Sequence, residues 1–285
     1  MSSVCILTDS TAQFSKPSFP GDNLVHVIPL KVSMTDQQEY DSVEMRVKLL
    51  PSTIKNGFGP EVAVPSGQEM RQIFTDLGAS YNEIIAIFMS SHLTSLVETA
   101  QEAAAAVRGR VSIQVIDSQT ISIGLGVLVQ LAAEAASQYA SSTEIERIVR
   151  GIIPHIYTVF CIPGLSYLSH TGLIGKSQAI VGEMLGIYPI YTLEEGHLSP
   201  LEKARNTRQL MDFFQEFLDE FCDLYHISYI QSCPAMLHEA RQIRDHVNAS
   251  FSKTPFSEHP INLSLASLFG PRSSGLFAIE IPEED

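Results

Sequence analysis

The chain has 285 residues, 45% of them hydrophobic and 18% charged, which suits one large or two ordinary globular domains and excludes wholesale disorder. Its formal charge of −14 and pI of about 5.0 repel a phosphate backbone, and no long Lys/Arg run supplies a basic stripe for nucleic acid.

The opening MSSVCILTDS has no basic segment ahead of its short apolar stretch, so it does not read as a secretory signal. From there one unit recurs: an apolar, β-branched run, a serine-bearing loop, then a helical pattern. VCILTDST (4–11) is the first case. EIIAIFMS (83–90) runs through SHLTS into LVETAQEAAAAVRG, and VSIQVIDS (111–118) runs through QTISIG into LGVLVQLAAEAASQYA. ISYIQS (227–232) leads into CPAMLHEARQIRDHV. Strands alternating with helices of this length predict an α/β fold on a largely parallel sheet. The connection PSTIKNGFGPEVAVPSG (51–67) is Pro/Gly-rich, with an edge strand in its middle. Ser95 and Glu98 have capping-box spacing, and Ser232 with Pro234 suits a helix start. Residues 123–140 read as a buried helix in which Gly124 and Gly126 admit a close neighbour. Its stretch IGLGVLVQLAAEAA is interrupted by Gln130 and Glu134 and is too short to span a bilayer.

From Pro154 the texture changes, which places a domain boundary near 150–156. YPIYTLEEGHLSPLEKA reads as two strands about the turn Glu194-Glu195-Gly196-His197. Lys203, Arg205 and Arg208 form a local basic cluster at a predicted helix start, as a solvated face or as a patch for an acidic partner or phosphate. FGPRSSG (269–275) lies between LSLASL and LFAIEI, which read as two buried strands. A turn needs the Gly, Pro and Ser, but not a guanidinium. Arg272 is either an ordinary solvated charge or the anchor for a negatively charged ligand.

An open α/β sheet collects ligands at the carboxyl ends of its strands, near helix N-termini, where anions are favoured. Those ends carry hydroxyls here: Ser10, Thr11, Ser90, Ser91, Thr94, Ser95 and Ser118. Each is a helix or turn cap on one reading and a ligand contact on the other. Catalytic signatures are missing: there is no G-x-S-x-G elbow, no P-loop and no H-x₃-H or C-x₂-C spacing. Cys5, Cys161, Cys222 and Cys233 are scattered and read as thiols in a reducing cytosol.

Taken in order, five segments resemble the DegV family of two-domain, fatty-acid-binding proteins. They are ILTDST, VPSGQEM (64–70), SSHLTSLVETAQEAA, VIDSQTISIGLGVLV and LSYLSHTGLIGKSQAIVGEMLGIYPIYTLEEGHLSPLEKAR. The resemblance implies an N-terminal domain, 1–155, with a largely parallel sheet flanked by helices. It implies a C-terminal α/β domain, 156–285, with a mixed or antiparallel sheet, and a fatty acid in the cleft between them. It also implies a cytoplasmic, non-catalytic carrier without a cofactor, whose partner is a separate fatty acid kinase. The departures from the family pattern are Val62 and Ala63 in place of hydroxyl residues, Leu173 in place of an arginine, and Arg272 where many members carry a histidine. The expected head-group contacts are Arg272, Thr94, Ser91 and Ser95. The expected tunnel wall is Ile121, Ile123, Leu165, Ile180, Met184 and Leu185, which read alternatively as plain core. A rival reading is a small-molecule hydrolase or phosphoryl transferase using the Ser91-His92-Thr94 loop. A ligand-tuned sensor would use the same pocket.

Overall fold

The structure, a computed structural model, describes residues 4–34, 39–41, 47–55, 57–107, 109 and 111–281. Strand β1 (Val4–Asp9) is buried at every position, and β6 (Glu83–Phe88) at all but its first. Such unbroken apolar runs belong in a sheet covered on both faces. With β2 (Val25–Ile28) and β7 (Ser112–Asp117) they form a parallel sheet in the order β2-β1-β6-β7. The crossovers are helices: α1 (Gly67–Leu77) precedes β6, and α2 (Leu96–Ala106) joins β6 to β7. After β7 come α3 (Ile123–Ser137) and α4 (Ser142–Ile152).

A second sheet is mixed. Its strands are β8 (Ile156–Cys161), β9 (Tyr188–Glu194), β10 (His197–Ala204), β11 (His226–Gln231), β12 (Phe256–Pro260) and β13 (Ser274–Ile279), in the order β10-β9-β8-β13-β11-β12. β13 runs antiparallel to both β8 and β11, while β12 is parallel to β11. Helices α5 (Leu165–His170), α6 (Lys176–Leu185), α7 (Thr207–Asp219), α8 (Leu237–Ser250) and α9 (Leu263–Phe269) accompany it. Phe214, Tyr229, Ile243 and Leu276 sit in its core. A small sheet, β4-β3-β5, is made of β3 (Lys31–Ser33), β4 (Glu39–Asp41) and the expected edge strand β5 (Glu61–Ala63).

The chain forms two compact units. The first comprises 1–30, 63–154 and 195–197; the second comprises 31–62, 155–194 and 198–285. Segment 31–62 therefore packs with the second unit although it lies in the N-terminal half of the sequence. No helix among the described residues is long and apolar enough to cross a membrane.

Local expectations meet mixed outcomes. The hairpin turn is as expected, with Glu195 and Gly196 both at positive φ (49° and 83°), which matches the primed turns that twist with their strands. LSLASL is a helix and not a strand: the Asn262 side chain accepts the Leu265 N–H at 2.8 Å and caps α9. All seven residues of α9 are buried, so no polar face marks its period. Ser95 makes no side-chain cap bond, because its backbone (φ −80°, ψ 10°) is not extended as a cap requires. The capping box forms at Ser66 and Glu69 instead. The fourth unit's helix starts at Leu237, after a cis Cys233–Pro234 bond, and not at Ser232. Lys203 is the last but one residue of β10, Arg205 lies in the turn and Arg208 is in the first turn of α7, so the basic cluster straddles a strand end and a helix start.

Candidate functional site

In the first unit, the loops after β1, β6 and β7 leave the carboxyl ends of adjacent strands, as the parallel order requires. Two aspartates organise them. Asp9 is fully buried, and its carboxylate accepts from the Thr11 hydroxyl, from Thr11 N–H at 2.9 Å and from Met89 N–H at 2.9 Å. Burial still pushes its carboxyl above the ordinary range, against the lowering effect of those bonds. Asp117 holds the next loop: Ser91 Oγ donates to it at 2.5 Å, Ser91 N–H at 3.2 Å and Gln119 N–H at 2.9 Å.

This wiring separates committed hydroxyls from available ones. Ser90 Oγ donates to Gly196 O at 2.8 Å, Ser118 Oγ to Thr120 O at 3.2 Å, and Ser122 Oγ to Gln13 Oε1 at 2.8 Å. Ser91 gives its hydrogen to Asp117. Among the described residues, Thr94 Oγ1 only accepts, from Leu96 N–H at 3.4 Å, and keeps its hydrogen to give. Ser95 is exposed at the start of α2 with its side chain uncommitted. The structure thus gathers Ser91, Thr94 and Ser95 on one loop and leaves Thr94 and Ser95 as its free donors. Ile121 and Ile123 flank Ser122 and are fully buried. The His92 ring stacks on His197, with centroids 3.4 Å apart, and no hydrogen bond joins it to Ser91.

In the second unit, Leu165 is buried at the start of α5 beneath α6. A Cβ on Gly182 would come 2.2 Å from Leu165 Cδ1, so the two helices meet at a residue without a side chain. The opposite face of α6 points to solvent. Ile180, Met184 and Leu185 are 51%, 82% and 67% exposed, and Val181 joins them at 56%. Arg272 is exposed in the turn between α9 and β13. That turn is held by Ser273 Oγ donating to Phe269 O at 2.7 Å and Cys233 N–H donating to Pro271 O at 2.7 Å. Arg272 borders a cavity of about 150 Å³ with Cys161, Tyr188, Ser232, Met236 and Ser274, and has no carboxylate partner among the described residues. Burial raises the Cys161 thiol pKa far above its ordinary value, so this thiol is a neutral wall.

Sequence reasoning missed the organising roles of Asp9 and Asp117. The signal was present, because each ends an apolar strand just before a serine; which atoms the carboxylates meet depends on neighbouring strands far away in the chain.

The family model described as "Uncharacterised protein, DegV family" matches residues 3–280. A DegV domain-containing protein of Staphylococcus aureus (strain COL) is 30% identical over 230 residues, 81% of each chain. A fatty acid binding DegV family protein of Streptococcus agalactiae has a similar fold, with a TM-score of 0.84 at 17% identity over 98% of this chain and 99% of that one. The Streptococcus pneumoniae Fatty Acid Kinase (Fak) B3 protein, loaded with linoleic acid, gives 0.82 at 17% identity over 97% and 99%.

Proposed function

The chain belongs to the DegV family, and from that membership we propose that it binds a long-chain fatty acid, or a similar carboxylate-headed lipid, and carries it to a separate fatty acid kinase. The ligand reading is supported by the S. agalactiae protein, which is fatty acid binding, and by the S. pneumoniae protein, which holds linoleic acid. The kinase reading is supported by the name of the latter alone. A cytoplasmic location accords with four free thiols.

The observation on this chain that carries the reading is the start of α2. Thr94 and Ser95 have hydroxyl hydrogens to give, at a helix end without a side-chain cap. A carboxylate needs donors, and the helix dipole favours its charge there. Ser91 is a weaker donor than the sequence suggests, since Asp117 already takes its hydrogen. Arg272, a guanidinium with no acidic partner among the described residues, is the candidate cation. Burying an acyl chain contributes about 0.8 kcal/mol per methylene, so a long tail supplies roughly 10 kcal/mol before association costs. The donors set direction: an unpaired buried carboxylate costs several kcal/mol, so the head stays where they are.

The enzyme reading loses support, because a Ser–His nucleophile needs a hydrogen bond that Ser91 makes to Asp117 and not to His92. Organic extraction of the purified protein followed by mass spectrometry tests the carrier. About one fatty acid per chain is expected, with occupancy falling several-fold in Thr94→Val/Ser95→Ala and in Arg272→Ala. Protein without lipid that hydrolyses acyl or phosphoryl esters would reverse the assignment.

A further inference from the structure

We propose that the tip of the β9–β10 hairpin is a clasp on the loop after β6, in which Ser90 and Gly196 act as positioning residues that make the site choose a carboxylate over an uncharged head group. The proposal rests on the fatty acid reading above and adds to it what holds the donors Thr94 and Ser95 in place.

Residues 195–197 pack with the first unit. Their partner there is Ser90, which is fully buried just after β6. Every polar atom of Ser90 is engaged. Its N–H donates to Thr120 O at 2.9 Å and its carbonyl accepts the Leu93 N–H at 3.0 Å. Its Oγ accepts the His92 N–H at 3.2 Å and donates to Gly196 O at 2.8 Å. One hydroxyl therefore ties the bend of the loop to the tip. Gly196 makes the tie possible. Its φ of 83° is a conformation that a side chain disfavours, and a Cβ there would lie 2.5 Å from Ser90 Oγ and 3.3 Å from both Gln119 Cα and His92 Cδ2. Beside this contact the His197 ring stacks on His92, at an interplanar angle of 26°.

The loop is thus fixed from two sides ahead of its free donors. Asp117 holds Ser91 from the end of β7, and the tip holds Ser90 and His92. Thr94 follows His92 by two residues, and its hydroxyl is tied only to Leu96 N–H among the described residues. Hydrogen bonds weaken steeply as distance and angle depart from their optimum, so the placement of a donor decides its worth. Bonds to a charged acceptor are about twice as strong as neutral ones, so a carboxylate loses more than an alcohol when its donors drift. Burial of the tail is the same for both. A loosened clasp should therefore cost the acid and spare the alcohol of equal length, whereas general damage to the fold would cost both.

Tetradecanoate and tetradecanol, each competing against a fluorescent long-chain fatty acid on the delipidated full chain, test this. The parent should prefer the acid. Ser90→Ala should narrow that preference about ten-fold through the acid alone, the size of one charge-assisted hydrogen bond. His92→Ala should act in the same direction by a smaller factor, and since His92 is exposed this variant should fold even where Ser90→Ala does not. Gly196→Ala should match Ser90→Ala, and the double variant should be no worse than either, because both break one contact. An unchanged ratio in Ser90→Ala and His92→Ala, equal weakening of acid and alcohol, or additive losses in the double variant would overturn the clasp while the parent still bound lipid. A parent that binds neither compound would overturn the fatty acid reading and the clasp with it.

Discussion

Asp9 shows how one buried carboxyl group organises the carboxyl edge of a parallel sheet. Its carboxylate accepts the N–H groups of Thr11 and Met89, just beyond β1 and β6, and it is shielded from water. Asp9→Ala takes that acceptor from both, at about 1–3 kcal/mol for a buried donor that loses its partner, and urea unfolding at neutral pH should show the loss. The pH dependence has a definite sign. Burial raises the folded pKa above the ordinary 3.8, so the folded state holds the proton more tightly than the unfolded chain. The contribution is fullest below the ordinary value and declines as pH rises through the raised one. Asp9→Asn cannot titrate, so the stability of the parent relative to this variant should fall across that window; a constant difference would contradict the assignment. Asp117 plays the matching part at the next strand end, and by taking the Ser91 hydrogen it leaves Thr94 and Ser95 as the hydroxyls of that loop with a hydrogen to give.

At the level of elements, helix α3 is pressed onto the segment after β1. A Cβ at Gly126 would lie 2.0 Å from Gln13 O, and backbone cannot swing aside as a side chain can. Gly126→Ala is expected to cost at least ~2 kcal/mol as overpacking, read as a lower denaturation midpoint with unchanged helix content. Gly126 was legible in the sequence as a place of close approach, because a glycine in an otherwise apolar helix needs a packing reason. Helix α9 was not legible. Its burial on every side erases the alternation that distinguishes a helix from a strand, and its Asn262 cap is a single residue in a Pro/Asn-containing loop. Helix α6 was legible as a helix, but the direction of its apolar face was not: Ala179 and Gly182 turn inward while Met184 and Leu185 turn outward.

For the whole molecule, the proposed lipid binding would be linked to folding, because a ligand bound only by the folded chain stabilises it by mass action. Delipidated protein should unfold at lower temperature than loaded protein. Adding back a long-chain fatty acid at a hundred times its Kd should restore about 2.7 kcal/mol. No shift on add-back would mean that the lipid does not bind the folded state. The sequence alone determined the α/β class, the parallel sheet, the hairpin and the family, because these rest on local periodicity, turn residues and motif order along the chain. Only the tertiary structure decided that 31–62 packs with the second unit, which hydroxyls are already spent, and that the hairpin tip meets Ser90. Those outcomes depend on partners brought together from distant positions, and no local pattern of residues encodes which donor meets which acceptor.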